Sequence, residues 1–319
     1  MSSAQELTGE PPGRIAPARE LVSSFEFEAM ARRSLNAATF AEIAGSNRNP
    51  FERITFRPRM MVNAMKLDLT TELFGQQLFS PILVGPVSEQ KRFHPEGDLA
   101  SVRGAAAAKT AMVVSERASY SIHEIAAQSA TTLWYQVYPG PDEAMQRRRI
   151  EEAVAAGCKA LCITIGGAGW SVIDRLRQGV RIPVVLKGIM SPEEARVAMG
   201  KGIDGIVVSN YNGQTVSGMA APIEALPAIA ETVAGKLPIL IDGSFRRGTD
   251  ILKALAMGAR AVMLGRPVLW ALAAYGSTGV QTILEMLQTE LARDMAMCGK
   301  PNLKSLDPSM VKIHARVPY

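Results

Sequence analysis

Eight short apolar runs, each closed by polar or glycine residues and separated from the next by a helical pattern, constrain this chain more than any other feature. They are PILVGP (81–86), AMVVSE (111–116), LWYQVY (133–138), ALCITI (160–165), PVVLKG (183–188), GIVVSN (205–210), PILIDG (238–243) and AVMLGR (261–266). Near-continuous apolar runs of this length read as strands covered on both faces, and their alternation with helices makes them parallel. Helix starts fall between them, most clearly at Ser191-Pro192-Glu193-Glu194: serine at the cap, proline in the first turn, acids after it. Eight βα units predict an α/β fold of the closed (β/α)8 TIM-barrel type. A doubly wound open sheet is the alternative, but it would more often carry a glycine-rich fingerprint after its first strand, and this chain has none.

The 319 residues suit one barrel of about 250 residues with an extension. Residues 1–22, rich in Pro, Gly, Ser and Glu, read as a disordered arm. Residues 23–80 read as one helix, Phe25 to Ile43, and an irregular segment covering one end of the barrel. The barrel then occupies 81–299, with Val268 to Met297 giving its last helix and a second one, and 300–319 form a tail. With 47% hydrophobic and 20% charged residues, the composition is that of a soluble globular protein.

Net charge is +5, but the basic residues are scattered, and Arg147-Arg148-Arg149 reads as a solvated helix face rather than a nucleic-acid surface. Three cysteines, Cys158, Cys162 and Cys298, are too few for a disulfide framework and suit a reducing compartment. No stretch is long and apolar enough for a membrane span, and the N-terminus lacks a secretory core, so the cytoplasm is the expected location.

The stretch Leu237 to Pro267 carries the first chemical signal. One strand ends in Asp242-Gly243-Ser244 with Phe245-Arg246 following, and the next ends in Gly265-Arg266-Pro267. Backbone N–H groups and guanidinium groups thus gather at neighbouring strand ends, which is how such a barrel holds a phosphate. Around the same mouth the strand order places Pro86-Val87-Ser88, Ser115, Gln136, Tyr138, Thr164, Lys187 and Ser209-Asn210. Hydroxyls, an amide and one lysine beside a phosphate cradle suit a polar, phosphorylated cofactor. No nucleophile–base arrangement and no metal-ligand cluster is evident. Lys187 closes an apolar run, so it must enter the mouth. A cofactor contact is favoured there over a lysine snorkelling to solvent or a Schiff-base nucleophile.

These residues carry a resemblance. VLKGI, GIVVSN, DGSFRRGTDILKALAMGARAVMLGRP, FERITFRPRMMV, PILVGP with HPEGD, and YQVY resemble the FMN-dependent α-hydroxy acid oxidases and dehydrogenases, over about Ala31 to Gly299. The resemblance implies FMN, and commonly a homotetramer. It implies that Pro86, Val87 and Ser88 lie against the isoalloxazine, that Ser115, Gln136 and Thr164 hydrogen-bond its pyrimidine edge, and that Lys187 stands near N1. Ser209 would position the ring, and Asp242, Gly243, Ser244, Phe245 and Arg246 with Gly265 and Arg266 would hold the phosphate and ribityl chain. Ser244 replaces a usual glycine.

The substrate half departs from the family. Where the family reads SNHGG-R-Q, this chain reads Ser209-Asn210-Tyr211-Asn212-Gly213-Gln214. Tyr211 stands in place of the histidine base and Gln214 in place of a carboxylate-binding arginine. A phenol ionises near 10, which makes it a poor base at neutral pH, and an amide cannot give a bidentate charged clamp. Glycine follows strand four where an aspartate is usual, the long lid loop with its second arginine is largely absent, and Glu42 stands where a tyrosine is common. Tyr138 is the remaining usual substrate contact, and Tyr211, Tyr138 and Lys187 are the candidate catalytic residues. His94, His123 and His314 are not placed at the mouth.

The expectation is an FMN flavoprotein, an oxidoreductase by ancestry, with an unknown substrate and an open flavin face accessible to a bulkier molecule or a protein partner. The alternatives are a non-catalytic FMN-binding sensor or scaffold, a weak 2-hydroxy acid dehydrogenase, and another phosphate-binding barrel such as a flavin-dependent isomerase.

Overall fold

The computed structural model describes residues 14–45, 48–58, 66–128, 130–166, 169–211 and 219–315. Eight parallel strands close into a barrel: β1 Ile82–Val84, β2 Ala111–Ser115, β3 Leu133–Val137, β4 Leu161–Thr164, β5 Val184–Ile189, β6 Gly205–Val208, β7 Ile239–Ile241 and β8 Ala261–Leu264. Closure is made by β8 against β1, where Val262, Met263 and Leu264 face Ile82, Leu83 and Val84. Each strand is followed by a helix: α1 Gly97–Ala107, α2 Ile122–Ala126, α3 Glu143–Ala155, α4 Trp170–Arg177, α5 Pro192–Gly200, α6 Pro222–Val233, α7 Gly248–Ala256 and α8 Arg266–Met297. The barrel expectation holds strand by strand.

Local chemistry sets the helix starts. Ser191 Oγ accepts from Glu194 N at 3.2 Å, and the Glu194 carboxylate accepts in turn from Ser191 N at 3.3 Å, the capping box that the sequence indicates. Gly276 (φ 57°, ψ −139°) breaks α8, so the segment after β8 is two helices. A side chain there would meet the His94 ring at about 3 Å, and φ lies in the left-handed region, so glycine suits the position twice over.

Strand side chains alternate between two cores. Leu83, Val113, Trp134, Cys162, Val185, Val207, Leu240 and Met263 fill the barrel, while their neighbours, such as Ile82, Val114, Ile163 and Leu264, pack against the helices. One end of the barrel is stoppered by the hairpin Thr71–Leu73 and Gln76–Leu78. Phe74 at its turn stacks at 5.4 Å on Trp134, and Trp134 Nε1 donates to Gln76 Oε1 at 3.0 Å. The opposite end, at the strand carboxyl termini, is the mouth.

Three expectations need correction. The helix expected from Phe25 to Ile43 is two, Ser24–Ser34 and Ala37–Ile43, because Asn36 takes extended backbone and its Oδ1 accepts from Thr39 N at 3.0 Å as a fresh N-cap. Residues 14–22 of the expected arm are packed: Ala16 and Leu21 are buried, and Tyr275 Oη donates to Ala16 O at 2.6 Å. Residues 1–13 lie outside the described ones. Within the segment expected to be irregular, Ile54–Phe56 is a strand, paired antiparallel with Val311–Ile313 of the expected tail.

Two smaller expectations are met. The three cysteines are free and buried, and burial pushes the Cys158 and Cys162 thiols up to about 12. Among the described residues no helix is long and apolar enough to cross a membrane.

Candidate functional site

The alternation that fills the barrel also builds the mouth. Two residues beyond each interior side chain comes another inward position, and there stand Ser115 after Val113, Gln136 after Trp134, Thr164 after Cys162, Lys187 after Val185, Ser209 after Val207 and Asp242 after Leu240. The first five are buried and polar, so each needs a partner. Ser88 and Ser115 share a hydroxyl contact at 3.2 Å, Ser115 Oγ donates to Gln136 Oε1 at 3.0 Å, and Gln136 Nε2 donates to Thr164 Oγ1 at 3.0 Å. This chain of bonds fixes the amide orientation and lays a polar arc over the ends of β2, β3 and β4. Gly85, Pro86 and Val87 lie beside it, with Gly85 N donating to Leu264 O at 2.8 Å.

Lys187 does not snorkel to solvent. Its Nζ lies 2.9 Å from Asp242 Oδ2 and 3.0 Å from Ser209 Oγ, with Tyr211 O at 3.4 Å. A buried ammonium demands such partners, and the ends of two strands, β6 and β7, supply them.

The phosphate-type end is set by Asp250 in the first turn of α7. Its carboxylate accepts from Arg246 N at 2.9 Å and Arg247 N at 3.0 Å and pairs with Arg48 at 2.6 Å, which fixes the turn between β7 and α7. Ser24 Oγ donates to Arg246 O at 2.6 Å from the N-terminal extension. Phe245 serves this scaffold, buried edge-on against Phe51 at 5.1 Å. Gly243 has φ 100°, and Ser244 keeps φ 61° where glycine would be unstrained. A side chain at Gly265 would meet nothing within 4 Å, so its backbone borders open space.

Two guanidinium groups belong to these turns, Arg246 after β7 and Arg266 at the start of α8. Arg246 is buried, its ring neighbour is Trp270 at 4.4 Å, and its Nη2 has no partner among the described residues. Burial, and then the charge of Arg266, pull the Arg246 guanidinium down to about 9. Burial also lowers Arg266, which donates to Ala44 O at 3.3 Å. Buried like charges beside a glycine turn and an orphaned donor are the arrangement an anion completes.

The outer mouth is phenolic. Burial, and then the neighbouring Tyr211, hold the Tyr138 phenol above the ordinary range. Tyr211 itself is 47% exposed. All three histidines lie elsewhere. His94 Nδ1 accepts from Glu96 N at 3.2 Å ahead of α1, His123 sits on α2, and His314 Nε2 contacts Thr55 Oγ1 at 2.8 Å. Glu42 forms an ion pair with Arg92. Gln214 lies outside the described residues.

Sequence reading gathered these positions but missed four contributors: Asp242 as the lysine's partner, Trp270 beneath Arg246, Ser24 from the extension, and Arg117, whose guanidinium lies 4.4 Å from the Tyr138 ring centre. A cleft of about 490 Å³ opens on the helix side of β2 and β3, lined in part by Ser115, Glu116, Tyr120, His123, Tyr135 and Arg149. Two of its charges, Arg149 and Glu116, are paired at 3.2 Å.

Comparison with known proteins places this geometry. The family model described as FMN-dependent dehydrogenase matches residues 18–169 and 166–313. L-lactate oxidase of Nostoc sp. is 35% identical over 358 aligned positions, covering 92% of this chain and 98% of its own length. Glycolate oxidase of Spinacia oleracea is 30% identical, covering 92% and 96%. A crystal structure of mandelate oxidase superposes with a TM-score of 0.89 at 33% identity, covering 93% of this chain and all of that one. By these matches the chain belongs to the FMN-dependent dehydrogenase family, homologous to the lactate, glycolate and mandelate oxidases, and FMN is its cofactor.

Proposed function

We propose that this protein is an FMN-dependent oxidoreductase whose cofactor half is retained and whose substrate half is rebuilt for something other than a simple 2-hydroxy acid. The observation that carries the reading is Tyr211. It occupies the position of the family's histidine base, it neighbours Tyr138, and none of the chain's three histidines stands at an inward strand end of the barrel.

Bound FMN supplies a two-electron acceptor. In this reading Pro86, Val87, Ser88, Ser115, Gln136, Thr164, Lys187 and Ser209 hold its ring system. Asp242 to Arg246 hold the ribityl chain and phosphate together with Gly265 and Arg266. Lys187, ion-paired with Asp242 at 2.9 Å, would present a cation to the ring, and Tyr138, its phenol raised above the ordinary range, would donate a hydrogen bond to whatever enters. The substrate side is open. Among the described residues between Thr164 and Val184 stands one eight-residue helix, and the 358 positions aligned with L-lactate oxidase exceed this chain's 319 residues, so that relative carries segments absent here. A missing lid over the mouth accounts for part of that difference. Homo-oligomeric assembly belongs to the same reading.

Replacing Tyr211 with His and Gln214 with Arg together tests the proposal. The expected result is flavin reduction by L-lactate that is absent in the parent protein and present, even if slow, in the double variant. A parent protein that reduces as fast as the variant overturns it.

A further inference from the structure

We infer that Arg117 is the anchor for a carboxylate on the substrate, taking over by position the work of the arginines this chain lacks. The inference rests on the reading of the mouth as the substrate side of bound FMN.

Arg117 follows β2 by two residues, and its backbone is tied down on both sides. Its N–H donates to Ser115 Oγ at 3.2 Å, and its carbonyl accepts from Glu89 N at 2.9 Å. The guanidinium therefore hangs over the mouth from a fixed root, next to the polar arc. It lies 4.4 Å from the centre of the Tyr138 ring, and Tyr211 is the neighbouring phenol that acts on the ionisation of that ring's hydroxyl. One cation and two phenols converge on one exposed spot.

The neighbouring acids are engaged elsewhere. Glu116 pairs with Arg149 at 3.2 Å and accepts from Tyr138 N at 2.7 Å. Asp242 is held by Lys187. Arg117 makes no ion pair among the described residues, whereas Arg48, Arg53, Arg92 and Arg103 each face an acid. A guanidinium that rests over a ring and faces no acid has N–H groups to offer a planar oxygen pair, which a carboxylate matches bidentately. The two phenols add donors at the same place. A solvated arginine resting on a tyrosine is the simpler alternative, and it predicts no anion selectivity.

Isothermal titration calorimetry on the purified protein, with oxalate and phenylacetate as carboxylate probes and phenylacetamide as the neutral match, separates the two. The inference predicts that at least one carboxylate binds and the amide does not. Arg117→Gln weakens carboxylate binding about 10- to 100-fold, Arg117→Lys weakens it less, and Arg148→Gln on the exposed face of α3 leaves it unchanged. Flavin content, read from the visible spectrum, stays at the parent level in all three variants. Carboxylate binding that survives Arg117→Gln overturns the inference, as does an amide that binds like the acid, or a parent protein that binds neither carboxylate at millimolar concentration. Arg117-dependent binding by a protein whose flavin no electron donor reduces would sustain the anchor and sink the oxidoreductase reading instead.

Discussion

Lys187 Nζ sits 2.9 Å from Asp242 Oδ2, joining the end of β5 to the end of β7 across the intervening β6. The two partners are unequally buried, the lysine side chain at 3% exposure and the aspartate at 18%. Breaking a buried pair costs most when the deeper charge is left behind. Asp242→Asn is therefore expected to destabilise the protein by roughly 3 kcal/mol, and Lys187→Met by less. Urea unfolding midpoints check the order, and a larger loss for Lys187→Met would contradict the unequal desolvation argued here.

Arg246 gives a second prediction. Buried, repelled by Arg266 and missing a partner at Nη2, it burdens the protein until an anion arrives. Arg246→Met keeps the length of the chain and removes the charge, so the flavin-free variant is expected to be at least as stable as the flavin-free parent. FMN at 100 times its dissociation constant stabilises the parent by about 2.7 kcal/mol. In a thermal-shift assay the variant loses most of that response. An unchanged FMN shift would remove Arg246 from the phosphate site.

Ser244 holds a left-handed backbone with φ 61°. A side chain in that region costs about 1 kcal/mol relative to glycine. Ser244→Gly is expected to recover about that much, seen as a higher urea midpoint at constant slope. A destabilised variant would mean that the serine hydroxyl contributes more than the backbone loses.

Tyr135 supplies a pH prediction. Burial pushes its phenol from 10.0 up to about 12, with the charge of Glu116 adding to the effect. Because the folded-state value is raised, the stabilisation is fully present below pH 10 and is lost as pH rises through about 12. Tyr135→Phe removes this proton, so the gap in unfolding midpoint between variant and parent moves in the variant's favour between pH 9 and pH 11. A gap that stays constant over that range would show that the phenol titrates normally.

How much of this was legible in the sequence follows from range. Strand parity is local: once Val185 is inside, Lys187 is inside, and the same count delivers Ser115, Gln136, Thr164 and Asp242. The whole polar arc could thus be named from runs of six residues. The Lys187–Asp242 contact could not, because it depends on how far a lysine reaches across one strand of a closed barrel. Asn36 and Thr39 mark a helix boundary in the sequence, but apolar residues at helical spacing continue across it from Phe27 to Ala38. The pairing of Ile54–Phe56 with Val311–Ile313 left no trace, since three-residue strands carry no period and their partner lies more than 250 positions away.

The central claim, a retained FMN site beneath a rebuilt substrate site, meets its most direct test in anaerobic mixing of the flavin-loaded protein with L-lactate and glycolate, followed by flavin absorbance. Dithionite serves as the control that the flavin can be reduced. The account predicts that dithionite bleaches the flavin while both hydroxy acids leave it oxidised. Bleaching by either acid at the rates of the lactate and glycolate oxidases it resembles would contradict it.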